Sequence, residues 1–199
     1  MLAQGKVRDA RTNKGVKAHI RYSSIPTGSI YGKFNDSTFS FVIFGTARYE
    51  VTAEAPGYVS RTIVVDPKKM DGNLRVYNDI KLLPAGETIR LNHLIFAQGK
   101  SAIDSTSFDE LNQIAGMMKE YENVVIQLEG HTDNLGAPDA NLRLSQDRVE
   151  AVKNYLAGRG IDRARNKTKA FGGSQPLRTD PSPDARALNR RVEMRILRH

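Results

Sequence analysis

The sequence predicts an α+β chain in two parts. An antiparallel β-sandwich comes first, followed by a βαβαββ domain with helices packed on one face of a mixed sheet. Three observations carry this. Up to about residue 85, apolar residues alternate with polar ones, turn residues recur every eight to twelve positions, and no helical period of useful length appears. Pro84-Ala85-Gly86 then interrupts the pattern. Beyond it, apolar runs of strand length alternate with two segments of helical period. The expected domains are residues 1–86 and 87–199.

In the first part the strands read from "GKVRD", "VKAHIRY", "STFSFVIF", "ARYEVTAEA", "RTIVVD" and "LRVYNDIKLL". Phe39, Phe41 and Ile43 share one face, and Tyr49 and Val51 point inward. In the second part "TIRLNHLIF" reads as a strand. "STSFDELNQIAGMMKEY" reads as a helix with Phe108, Leu111, Ile114, Ala115 and Met118 at helical spacing and Ser105 or Ser107 as cap. "NVVIQLEG" is a buried-type strand. A second helix runs from Asn141 to about Ala157, with Leu142, Ser145, Val149, Val152 and Leu156 on one face, and Gly158 and Gly160 stop it. "RNKTKAFGG" and "RRVEMRILR" are strands, separated by the polar loop "SQPLRTDPSPDARALN".

Composition excludes several classes. The chain has 199 residues, of which 39% are hydrophobic, above the range of disordered chains. No apolar run reaches eighteen residues, so no membrane-spanning helix is expected. With no cysteine there are no disulfides, thiol nucleophiles or cysteine-bound zinc. "MLAQG" is too short and polar for a signal peptide, and the abrupt start on a strand pattern favours a chain trimmed from a longer one. The net charge is +8. Residues 143–198 hold 14 Lys/Arg against 6 Asp/Glu, but in no dense cluster of the nucleic-acid-arm type. A basic polyanion binder, for nucleic acid or lipopolysaccharide, or a protein-interaction module remains the alternative function class; aromatic–basic interleaving of the RNA-binding type is missing.

Catalytic constellations are missing too. The four histidines have no metal-ligand spacing to one another, and His131 with Asp133 supplies at most two ligands. There is no G-x-S-x-G elbow and no phosphate loop. Neither an enzyme, nor a metal, nor a cofactor is expected. What stands out is "EGHTDNLGAPDANLRLSQDRVEAV" at 129–152. Asp133 lies just past a strand end, and Arg148 lies two or three turns into the next helix. Helix side chains lean toward the N-terminus, so Arg148 can reach back toward Asp133. A surface ion pair there is worth only about 0–1 kcal/mol. The other reading is a cleft flanked by a carboxylate and a guanidinium, suited to a ligand with both an ammonium and a carboxylate. Spacing alone hardly separates the two.

These residues resemble the OmpA-like peptidoglycan-binding domain, shared by OmpA C-terminal domains, the peptidoglycan-associated lipoprotein and flagellar stator proteins. The pattern T-D…N-x-x-L-S-x-x-R-x-x-x-V is present as Thr132-Asp133, Asn141, Leu144-Ser145, Arg148 and Val152. "IFAQGKSAID", "AFGGSQP" and "NRRVE" match further motifs, over about residues 88–198. The resemblance implies non-covalent binding of the diaminopimelate of the peptidoglycan stem peptide. Asp133 would hold the ammonium and Arg148 the carboxylate, with hydrogen bonds from Thr132, Asn141 and Arg190. Phe96 opens the strand-to-helix loop. Ala97 departs from the pattern, because many relatives carry Asp there, and Gln98 or a backbone group would have to substitute. Val149, where Ala is common, reads as packing.

The first part resembles, through "GKVRDARTNKGVKAHI", "STFSFVIFGTARYEVTAEAPGYVS" and "RTIVV", the carboxypeptidase regulatory-like β-sandwich. Such domains are non-catalytic spacers or interaction modules. The pairing implies a periplasmic anchor tying an outer-membrane assembly, such as one of type IX secretion, to the cell wall. It also implies an upstream lipidated region, partners among envelope proteins through the first domain, and no nucleic acid. Monomer is the default expectation.

Overall fold

In the computed structural model, residues 1–91, 94, 96 and 100–197 are described. The chain divides into two compact units, Met1–Ala85 and Gly86–Leu197.

The first unit holds β1 (Leu2–Asp9), β2 (Ala18–Ile25), β3 (Tyr31–Asp36), β4 (Thr38–Val42), β5 (Arg48–Glu54), β6 (Arg61–Val65), β7 (Arg75–Tyr77) and β8 (Ile80–Leu82). They form two sheets. One runs β4-β1-β7 with β8 also on β1, the other β3-β2-β5-β6. The alternating residues Phe39, Phe41, Ile43, Tyr49 and Val51 are all buried in one core with Ala3, Val7 and Ile20. The Tyr22 and Phe41 rings stack at 3.9 Å. The first sheet is not purely antiparallel, because β7 and β8 both run parallel to β1. Alternation fixes which face a residue takes, not which way a strand runs, and the chain after β6 makes a long excursion through Asp66–Leu74 before returning alongside β1.

The second unit holds β9 (Thr88–Arg90), α1 (Phe108–Glu120), β10 (Val125–His131), α2 (Pro138–Gly158), β11 (Asn166–Gly172), α3 (Pro183–Asn189) and β12 (Val192–Leu197). The mixed sheet is ordered β11-β10-β12-β9, with β10–β11 parallel and the other pairs antiparallel. Gly130 fixes where α2 sits. A Cβ there would lie 2.4 Å from the Ser145 carbonyl oxygen and 2.9 Å from a Val149 methyl. The helix therefore rests directly on the strand, and Ile126 and Leu128, two and four residues back on the same face, pack beneath it. Helix α1 joins α2 through the stacked rings of Phe108 and Tyr155, 5.0 Å apart.

Several local expectations change. Ser107 holds the cap position of α1, as expected, but its side chain makes no cap bond; Asp104 caps the short 3₁₀ turn ahead of it, its carboxylate accepting from Thr106 N–H. Helix α2 begins one turn early, with Pro138 in its first turn, where a missing N–H costs nothing. Leu142 is exposed, and Arg148 joins Ser145, Val149, Val152 and Leu156 on the buried face. The polar loop contains α3, started by Pro183 and capped by Ser182 Oγ accepting from Ala185 N–H at 3.1 Å. Of the expected strand 88–96, Thr88–Arg90 is strand, while Asn92, His93 and Ile95 lie outside the described residues.

Candidate functional site

The site forms past the carboxyl end of β10, where the chain leaves the sheet into the loop before α2. Thr132 is buried, and its N–H donates to the Gly172 carbonyl at 2.8 Å. Its hydroxyl donates to the Asp133 carbonyl at 2.8 Å. Gly173 passes so close that a Cβ would stand 2.8 Å from the Asp133 carbonyl oxygen. The loop is thus clasped between β10 and the end of β11, and Asp133 projects from a fixed backbone. Its Oδ2 accepts from Arg190 Nη1 at 2.9 Å and its Oδ1 from Leu135 N–H at 3.3 Å.

Arg148 reaches the same region from α2. It is only 3% exposed. Its Nε donates to the Lys100 carbonyl at 3.2 Å, and its guanidinium lies 5.0 Å from the Phe96 ring centroid. Burial lowers its pKa, the nearby Arg190 lowers it further, and Asp133 acts the other way. Asp133 and Arg148 therefore share one electrostatic environment. Among the described residues they do not pair, and Arg190 is the guanidinium that touches Asp133.

A cavity of about 290 Å³ opens between these groups, lined by Arg90, Arg148, Arg190 and Arg191 together with Phe96 and Leu94. Four guanidinium groups around one small cavity favour an anionic ligand, a carboxylate above all. Asn141 lies elsewhere. Its Nδ2 donates to the Leu135 carbonyl at 2.8 Å, and it lines a separate cavity of about 420 Å³ with Pro138, Phe171 and Gly173. Its described contact shapes the loop rather than the arginine cavity. Ala97 and Gln98 lie outside the described residues.

Two groups were not singled out from sequence. Arg90 came from a segment read only as strand. Asn189 is buried, with Oδ1 accepting from Leu177 and Arg178 N–H and Nδ2 donating to the Arg178 carbonyl. It ties down the loop that carries Arg190. The position of Asn189 inside "NRRVE", directly before two arginines, was the available signal.

Behind the site, Glu129, His131 and Glu193 meet across β10 and β12, with their potential ligand atoms all within 4.8 Å of one another. His131 is stacked on Phe171 at 5.1 Å. Its Nε2 stands 3.8 Å from Glu193, too far for a hydrogen bond, and both ring nitrogens lack partners among the described residues. Burial and Arg191 push its pKa down to about 4, so the ring is neutral at pH 7. The donor set could hold a cation. However, Arg191 donates to Glu193 at 2.7 Å, and Arg195 pairs with Glu129 at 3.4 Å, so both carboxylates already have a counter-charge.

Residues 95–190 match the OmpA family. The chain is 29% identical over 120 residues to the probable lipoprotein YiaD of Escherichia coli, covering 59% of this chain and 55% of that protein. It is 30% identical over 101 residues to the peptidoglycan-binding protein ArfA of Mycobacterium bovis, covering 51% and 31%. Among solved structures, the peptidoglycan-associated lipoprotein from Burkholderia pseudomallei superposes with a TM-score of 0.50 at 26% identity, covering 52% of this chain and 87% of that one. The matched stretch thus spans about half or less of these two curated relatives. Residues 95–190, within the second unit, are thus similar in sequence to the OmpA family, and the unit is similar in fold to the peptidoglycan-associated lipoprotein.

Proposed function

We propose that this chain is a non-catalytic cell-wall anchor whose second unit binds peptidoglycan by the diaminopimelate of the stem peptide. The observation that carries the reading is the buried Arg148, held over Phe96 beside a cavity lined also by Arg190, the residue that pairs with Asp133. Asp133 takes the ligand ammonium, in exchange for its contact with Arg190. Arg148 takes the carboxylate, Arg190 adds hydrogen bonds, and Thr132 and Asn141 hold the loop. The likeness to ArfA, a peptidoglycan-binding protein, and to the peptidoglycan-associated lipoprotein supports the wall-binding part of this reading. Each charge-assisted contact is worth about 1.5–3 kcal/mol. Removing one partner of the desolvated set should cost about 2–5 kcal/mol.

In this reading the protein works in the periplasm, associated with the outer membrane and wall of a Gram-negative-type bacterium. Among the described residues no helix is long and apolar enough to cross a membrane. The first unit, read as a carboxypeptidase regulatory-like sandwich, is the spacer or contact surface through which an envelope assembly, such as a type IX secretion component, is held.

The test is co-sedimentation with diaminopimelate-type sacculi at low and high salt, for wild type, Asp133→Ala and Arg148→Ala, each checked for folding by circular dichroism. Wild type alone should pellet, at both salt levels. If all three pellet equally and release with salt, the basic surface is the binder and the site assignment fails.

A further inference from the structure

The four guanidinium groups of the arginine cavity are not equally satisfied. Arg190 pairs with Asp133, and Arg191 pairs with Glu193 while also donating to the Gln175 and Asn189 carbonyls. Arg148 has one carbonyl, that of Lys100. Arg90 has one long contact, Nη2 to the Leu188 carbonyl at 3.4 Å, and its Nε is buried without an acceptor among the described residues. Among the described residues, two positive charges, on Arg90 and Arg148, therefore face the cavity with no paired carboxylate. A buried donor without a partner is costly, and a charged one more so.

A zwitterionic head group does not remove this excess. Its carboxylate answers Arg148, but its ammonium adds a positive charge beside Asp133. A ligand carrying one more carboxylate would answer Arg90 as well. The cavity of about 290 Å³ also leaves room beyond a single carboxylate. We propose that Arg90 forms a second anion subsite beside Arg148 and selects peptides that present a second free carboxylate. This rests on the peptidoglycan reading of the site. In a stem peptide two groups supply that chemistry: the second carboxylate of diaminopimelate, free when the peptide ends there, and the α-carboxylate of a preceding γ-linked D-glutamate.

The experiment uses the full chain and three synthetic probes, with dissociation constants measured by calorimetry. The first is L-alanyl-γ-D-glutamyl-meso-diaminopimelate. The other two carry a carboxamide at the D-glutamate α-carboxyl or at the carboxyl of the diaminopimelate α-carbon that is acylated through its nitrogen. Wild type should bind one of the two amides at least tenfold more weakly than the acid, and which one identifies the source. Arg90→Gln should lose that preference, to within about twofold, and Arg90→Lys should recover part of it. The acid-to-amide ratio is read within each variant, so partial unfolding cancels. If wild type binds all three probes alike, or Arg90→Gln keeps the full preference, the subsite is wrong while the anchor reading stands. If wild type binds none of the probes, and sacculi also fail to retain it, the anchor reading falls and the subsite with it.

Discussion

Lowering the pH should weaken the second unit through one residue, His131. Its ring is buried on the sheet face opposite α2, neutral, with Arg191 close by. Its pKa falls from 6.5 to about 4, first through burial and then through Arg191, against the smaller opposing pull of Glu193 and Glu129. The folded state thus resists a proton that the unfolded chain accepts readily. Stability is intact above about pH 6.5 and declines as pH falls toward 4. With those two values, the loss between pH 7 and pH 4.5 is about 2 kcal/mol. Among the described residues all three α-helices lie in the second unit, so urea unfolding followed at the helical ellipticity band reports on this unit. The midpoint for wild type should fall across that interval. His131→Leu, which cannot take up a proton, should show a flatter profile, whatever its stability at pH 7. A His131 imidazole, assigned by its loss in His131→Leu, titrating near 6.5 by proton NMR, or an equal pH slope in that variant, would refute the argument.

Gly130→Ala should destabilise the second unit by about 1–3 kcal/mol, as overpacking does, because its Cβ would push the Ser145 carbonyl off the strand; denaturant midpoints measure this. Asn189→Ala removes three hydrogen bonds made by a buried side chain, costing about 1–3 kcal/mol and weakening sacculus binding together with stability, as denaturant midpoints and co-sedimentation would show. Arg148→Lys should lose most of the binding although the charge is kept, since a lysine cannot reproduce the planar group over Phe96; binding equal to wild type would show that charge alone matters. In the first unit, Ile20→Ala should cost about 2–5 kcal/mol, seen as loss of a non-helical transition in calorimetry.

The strands and helices of the second unit were legible because each buries one face, and burial imprints its period on the sequence. Leu142 shows where that logic stops. It has the right spacing for the buried face of α2, yet it lies in the first turns, where its side chain faces an open cavity beside Phe171 and is exposed. Arg148 shows the converse, a charged residue buried because Phe96 and the Lys100 carbonyl receive it. Helix α3 was hidden by its brevity and its polar composition; only Ser182-Pro183 marked its start. The proximity of Asp133 and Arg148 could be argued from spacing. The direct partner of Asp133 could not, since Arg190 lies 57 residues away and is brought in by the fold. Arg90 was illegible for the same reason. It meets the cavity only because β9 pairs with β12 at the sheet edge. The parallel placement of β7 and β8 is likewise a matter of chain path, on which alternation is silent.

The ion pair between Asp133 and Arg190 has a consequence for how an anchor of this kind holds on. A ligand ammonium arriving at Asp133 competes with a partner already in place at 2.9 Å. Binding there is an exchange of one charge-assisted contact for another, so its net gain is smaller than the gross strength of the new contact. A single domain would then let go of a single stem peptide readily. A wall presents the same peptide again a short distance away, and a released domain tethered to an assembly meets it at high effective concentration. Such attachment would be durable for the assembly and brief for each contact, letting the anchored complex stay in place while the wall beneath it is cut and rebuilt.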